Sequence, residues 1–163
     1  MKVCVLASGS SGNALFVQEG RTRLLVDAGL TAKQLEDRLR AIDVEPAGLH
    51  GIVVSHEHTD HLRGAGVLAR RHGLPVWMTG GTLDAAKSTF RGTERLLTFE
   101  NDEAFAIGDL HIQPFALPHD AADPVNFLVS GRDARLGIAT DLGVVTQLIY
   151  QRLKEADLVV LET

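Results

Sequence analysis

Apolar residues recur along this chain in short runs of four to six, many alternating with polar ones and separated by glycine or proline turns. Alternation at period two predicts strands at 2–7, 14–18 and 22–26, which read as an N-terminal meander. Thr31 then stands as a helix N-cap, and Leu35, Leu39 and Ile42 form one apolar stripe on a helix ending near 41. A buried strand is expected at 51–55, a helix at 62–72 stopped by Gly73, and a strand at 74–79 whose Pro75 lies near its start. Further on, a short helix is predicted at 83–90 and a strand at 95–100. Two hairpins follow, 104–107 with 110–117 and 125–130 with 135–140. A helix at 144–155, with Val145, Leu148, Ile149 and Leu153 as its apolar face, and a strand at 157–162 complete the pattern. Strands interleaved with helices, without repeat or linker, predict an α/β layered domain.

The densest polar signal interrupts this pattern immediately after the strand at 51–55. His56, His58, Asp60 and His61 form H-x-H-x-D-H, four metal-type side chains within six residues. A strand directs alternate side chains to one face, so extended geometry persisting past Ser55 lets His56 and His58 share one metal. Asp60 and His61 then fall where the chain turns into the next helix and face elsewhere, so one loop can feed two neighbouring metals. Imidazoles with a carboxylate suit Zn²⁺, and also Mn²⁺ or Fe²⁺. Other strand ends, at Asp27, Leu117 and Thr140, also carry or precede a carboxylate or histidine, notably Asp27, His119, Asp120 and Asp141. Asp27 is either a turn former or a support for the metal loop that accepts a ligand's other N–H. Gly9 and Gly12 either form a simple hairpin turn or let backbone amides approach a phosphate. His50 and His111 stand apart from any second ligand and read as structural.

Composition narrows the class. At 163 residues the chain is long enough for one domain with a substantial core. A net charge of −5 argues against a globally basic nucleic-acid-binding surface, though not against a local groove. Arg63, Arg70 and Arg71 read as a solvated helix face, with contact to a nucleic-acid backbone as the sharper alternative. The single cysteine, Cys4, excludes an intrachain disulfide and reads as a core residue. The N-terminal apolar run is too short for a signal peptide and no segment suits a membrane span, so a cytoplasmic location is the expectation.

Five stretches carry a family resemblance: Ala7-Ser-Gly-Ser-Ser-Gly-Asn13, Val26-Asp-Ala-Gly29, Ser55-His-Glu-His-Thr-Asp-His61, Pro118-His-Asp-Ala-Ala-Asp-Pro124 and Thr140-Asp-Leu-Gly143. They resemble the metallo-β-lactamase fold superfamily, and within it the YycJ/WalJ-type hydrolases, relatives of the tRNase Z and RNase J nucleases. The resemblance implies a four-layer αββα sandwich with a two-metal site at one edge, holding Zn²⁺, or alternatively Mn²⁺. By motif match His56, His58 and His119 would hold the first metal, Asp60 and His61 the second, and Asp141 would bridge both. In β-lactamases of the commonest kind a cysteine occupies the position of Asp141, so aspartate there leans towards phosphodiester or thioester chemistry. The family carries a further histidine ligand beyond the point where this sequence ends. Residues 1–163 are therefore expected to be a C-terminally incomplete hydrolase domain, whose exposed apolar surface would suit a dimer.

The resemblance implies a metal-dependent phosphodiesterase, an exonuclease on DNA or RNA in which a metal-bridging hydroxide attacks phosphorus and Asp60 orients it. Two alternatives stay open: a glyoxalase II-like thioester or lactam hydrolase, and a metal-binding module without activity.

Overall fold

The computed structural model describes residues 1–162 as two β-sheets packed face to face, with helices on both outer surfaces. The first sheet contains β1 (Lys2–Ala7), β2 (Ala14–Glu19), β3 (Thr22–Val26), β4 (Gly51–Val53), β5 (Val76–Thr79) and β6 (Leu96–Phe99), paired in that order. The predicted meander is its antiparallel half, β1 to β3, and β3 to β6 run parallel. The second sheet contains β7 (Phe105–Ile107), β8 (Leu110–Ala116), β9 (Val125–Ser130), β10 (Arg135–Ala139) and β11 (Leu158–Leu161). Its pairs are antiparallel except β10 with β11.

Alternation explains the layering. Leu15, Val17, Leu24 and Val26 point from the first sheet onto Ile112, Phe127, Val129 and Ile138 of the second, forming the inter-sheet core. Phe16, Leu25, Ile52 and Val76 point outwards, where α1 (Ala32–Arg40) buries Leu35 and Leu39 among them. Thr31 caps α1 as predicted, in a reciprocal pair with Gln34. On the far side Ile149 of α5 (Gln147–Leu153) packs against Phe115, Leu117 and Leu128. The architecture is thus the expected αββα sandwich.

Several boundaries differ from the sequence reading, each where a side chain or tertiary bond captures a backbone group. The predicted helix at 62–72 is two helices, α2 (Thr59–Leu62) and α3 (Ala65–His72). The Asp60 carbonyl accepts the Asn13 N–H, the His61 carbonyl accepts the Ala28 N–H, and the Gly64 N–H goes to the Ala28 carbonyl. The helical ladder is thereby diverted into neighbouring loops. Gly64 is required there, because a Cβ would collide with the Leu30 carbonyl. β4 ends at Val53 rather than Ser55, since the Ser55 N–H turns to the Asp27 carboxylate. α4 (Gly80–Ala86) starts earlier than expected, because Thr79 caps it through the Thr82 N–H and its glycines do not prevent the turn. α5 starts later, at a Thr146 cap, which leaves Val144 and Val145 outside it at 64% and 61% exposure. Val145 therefore does not belong to the helix's apolar face. Tyr150 is exposed as well, as are Leu158 and Leu161 of β11, the edge strand of its sheet. Among the described residues no helix is long and apolar enough to cross a membrane.

Candidate metal centre

Five of the six residues singled out as ligands converge where β3, β4, β8 and β10 end, and the sixth, Asp60, lies beside His61. The loop after β4 carries His56 and His58, and α2 begins at Thr59, so Asp60 and His61 ride on its first turn. The loop between β8 and β9 carries His119, and Asp141 follows β10. Asp27 and Asp141 both have positive φ, 60° and 55°. A left-handed residue at the strand end breaks the extended path, and aspartate tolerates that region better than most residues.

Two ligand groups result. In the first, the His58 Nδ1 lies 3.1 Å from both His56 Nε2 and His119 Nε2. In the second, His61 Nε2 lies 3.0 Å and His56 Nε2 3.7 Å from Asp141 Oδ2, while Asp60 stands beside the group, its Oδ2 3.6 Å from His61 Nε2. The Asp141 carboxylate reaches both groups, with Oδ2 3.7 Å from His56 Nε2 and Oδ1 4.0 Å from His119 Nε2.

A divalent cation fits this donor set. Metal-bound imidazole nitrogens sit roughly 2.0–2.1 Å from zinc, which separates tetrahedral neighbours by about 3.3 Å. The ring nitrogens of the first group converge at close to that spacing. Asp141 Oδ2 is buried without a hydrogen-bond partner, since His61 Nε2 is near it but not aligned to donate. Converging nitrogens and an orphaned carboxylate oxygen are stabilised by a shared positive charge.

Behind the ligands lies a buried network. Asp27, 3% exposed, accepts the Ser55 N–H at 2.8 Å through Oδ1 and the Ser55 hydroxyl at 2.9 Å through Oδ2. Its Oδ2 also lies 2.8 Å from His61 Nδ1. This places the His61 proton on Nδ1 and leaves Nε2 facing the carboxylates. The Ser55 hydroxyl further contacts His56 Nδ1 at 3.0 Å. Asn126 holds the strand end before Asp141 by accepting the Thr140 N–H, and Glu162 accepts the Asp141 N–H at 3.1 Å.

Burial disfavours a charged imidazole at both inner histidines. At His56 the nearby His61 adds to it, and the pKa falls to about 3. At His61 the Asp27 carboxylate, with Asp141 and Asp60, overcomes burial and lifts the pKa to about 9. In the metal-free chain His61 therefore contributes stability that is complete below the ordinary value of 6.5 and lost as pH rises through about 9. His56, kept neutral, costs stability as pH falls from 6.5 towards 3. As far as these two groups govern it, the melting temperature in chelator should peak near pH 6.5 and fall on both sides. Thermal denaturation across that range checks the sign. A cation bound at His61 Nε2 displaces a proton, so binding near neutrality should release acid.

Glu57, between His56 and His58, has a separate task. Its Oε1 accepts the Ala122 N–H at 2.8 Å and so ties the His58 loop to the loop carrying His119. Thr79 and Asn101 hold that second loop through the Asp123 carbonyl and carboxylate. Glu57→Ala should loosen it, lowering stability by about 1 kcal/mol and raising proteolysis between Pro118 and Pro124. Limited proteolysis with mass analysis of the fragments would detect this.

The remaining candidates lie elsewhere. His50 is exposed and accepts the Arg23 N–H, and His111 is exposed on β8. Arg70 pairs with Glu94 and Arg71 with Glu36, while Arg63 is exposed. Cys4 is only partly buried, at the margin of the helix-side core. Asn13, Ser55 and Glu57 join the site although sequence reasoning assigned them no role. Ser55 and Glu57 were signalled only by their position beside ligand residues, and Asn13 only by its place in the glycine-rich stretch at 7–13.

The chain is similar to several known proteins. The profile described as "Beta-lactamase superfamily domain" matches residues 22–163. Exodeoxyribonuclease YycJ of Bacillus anthracis is 35% identical over 98% of this chain and 61% of its own length. Exodeoxyribonuclease WalJ of Streptococcus pneumoniae serotype 2 (strain D39 / NCTC 7466) is 34% identical over 96% of this chain and 60% of its own. The chain thus spans about three fifths of the length of the curated relatives it matches. Among solved structures, Zn(2+)-bound PqqB from Methylobacterium extorquens superposes with a TM-score of 0.79 at 15% identity, over 98% of this chain and 70% of that one. A B3 metallo-beta-lactamase with an active-site glutamic acid gives 0.74 at 16%, over 94% and 73%. At these identities the structural likeness shows the fold alone.

Proposed function

This chain belongs to the beta-lactamase superfamily, and on that premise we propose that residues 1–163 are a metal-dependent hydrolase domain that cleaves phosphodiester bonds, with DNA as substrate and exonucleolytic action. The observation that carries the proposal is the pair of adjoining ligand groups, His56–His58–His119 and His56–His61–Asp141, with the Asp141 carboxylate within 4.0 Å of His119 as well. The names of the two exodeoxyribonuclease relatives support the choice of substrate.

His56, His58 and His119 would hold one divalent cation, and Asp60, His61 and Asp141 a second, with Asp141 reaching towards both. Zinc suits the three-histidine group, and manganese is the alternative at the carboxylate-rich one. Bound there, such cations supply Lewis acidity towards a phosphate oxygen and towards the attacking water. The chain's own part is to keep this charge aimed. Asp27 keeps the His61 proton on Nδ1, and Ser55 steadies both inner imidazoles. Asp60, 29% exposed at its side chain, is the carboxylate open to solvent beside His61 and is suited to orient a water.

Elemental analysis should find about two metal equivalents per chain. The same sample should degrade DNA from an end and leave a thioester substrate untouched. Thioester turnover without DNA cleavage would replace the nuclease reading. Bound metal with neither activity would make this a binding module.

A further inference from the structure

Among the described residues, Asn13 is the neutral polar side chain that lies against a candidate ligand's metal-facing nitrogen and that the ligand set leaves unused. It is 4% exposed, and its Nδ2 lies 3.1 Å from His61 Nε2. The amide's orientation is determined by its other end, because Oδ1 accepts the Gly9 N–H at 3.0 Å. A flipped amide would set Nδ2 against that N–H. The backbone is equally constrained: the Asn13 N–H goes to the Asp60 carbonyl at 2.6 Å, and its carbonyl accepts the Gly29 N–H. The preceding turn closes through Gly12 N–H to the Gly9 carbonyl, with Gly12 at φ 144° packed on Gly29 and Leu30. Asn13 is thus held rigidly, with one amide hydrogen near the Gly9 carbonyl and the other directed at His61 Nε2.

That second contact needs the single lone pair of His61 Nε2, which a bound proton or a bound cation equally occupies. Once the lone pair binds metal, the Asn13 hydrogen loses its acceptor in a buried place, where an unsatisfied donor is costly. An anionic oxygen drawn to the same cation would supply the replacement. We propose that the Asn13 side-chain amide donates to a non-bridging phosphate oxygen of the nucleic acid at the His61–Asp141 end of the site. The inference rests on the phosphodiesterase reading, and it makes Asn13 a substrate-binding residue delivered by the glycine-rich turn.

Phosphate affinity separates this from two simpler roles. Wild-type, Asn13→Asp and Asn13→Ala chains are loaded with zinc, checked for metal content and melting temperature, and titrated calorimetrically with inorganic phosphate. Asn13→Asp keeps the acceptor for the Gly9 N–H but loses the donor, and Asn13→Ala loses both. The donor role requires both variants to bind phosphate at least about tenfold more weakly at equal metal content, as for a lost hydrogen bond to a charged group. The KM for DNA should rise in parallel. Weakening in Asn13→Ala alone would reduce Asn13 to a loop tether. Weakening in Asn13→Asp alone would reveal charge repulsion, and unchanged affinity in both would remove any role, so each of these overturns the proposal. If Asn13→Ala does not fold or hold zinc, the space-filling Asn13→Leu replaces it under the same criterion. A wild-type chain that binds zinc and phosphate but cleaves no nucleic acid overturns the nuclease reading and leaves the Asn13 contact standing. A zinc-loaded wild type that does not bind phosphate overturns the contact itself.

Discussion

His58→Ala should cost the chain one metal equivalent and essentially all hydrolytic activity, with little effect on the metal-free fold. His58 is the middle member of its group, since its Nδ1 is 3.1 Å from both His56 and His119. Losing it leaves two imidazoles, too few to hold zinc against water in a site that uses three protein ligands. Substitutions behind a ligand cost roughly ten- to a hundredfold in metal affinity, so removing the ligand itself should exceed about a hundredfold. The fold should tolerate the change, because His58 is half-buried and makes no side-chain cap at the start of α2. Elemental analysis after dialysis, a DNA cleavage assay and a melting curve in chelator measure the three effects. Undiminished metal content would locate the cation outside the three-histidine group.

Asp27→Asn should separate the support of the site from its ligands. Asparagine accepts a left-handed backbone as aspartate does, so the φ of 60° is preserved. The carboxylate's two oxygens now serve Ser55 twice and His61 once, and an amide offers only one acceptor oxygen. One contact to Ser55 or His61 must then fail within a buried network, at a cost of about 1–3 kcal/mol. His61 also loses the charge that fixes its proton on Nδ1, and cation affinity at the Asp60–His61–Asp141 group should fall roughly ten- to a hundredfold. Chemical denaturation in chelator and metal titration give the two numbers. Nitrogen-detected tautomer analysis of His61 gives the cause. If tautomer and affinity both persist, Asp27 serves only to turn the chain at the end of β3.

Much of the architecture was written in periodicity. Strands of period two, with Leu15 and Val17 facing one way and Phe16 the other, commit each sheet to a two-sided burial that only a layered fold satisfies. Element ends were less legible wherever a backbone group found a partner distant in sequence. The break at Gly64 depends on Ala28 and Leu30, and the end of β4 on Asp27. Neither can be inferred from neighbouring residues, because the competing bond belongs to another strand.

The candidate site divides in the same way. Residue type and spacing alone marked His56, His58, Asp60 and His61, since imidazoles and a carboxylate packed after an apolar strand have few other uses. His119 and Asp141 were attached to them by family resemblance. Only the tertiary structure decided that strand ends from both sheets converge there, so that Asp141 lies within 4.0 Å of nitrogens from three different histidines. It alone decided the proton on His61 and the approach of Asn13 to Nε2, 48 residues away in sequence. Sequence carries the chemistry of each side chain, but an acceptor's identity is a property of distance and direction, which exist only once the sheets have packed.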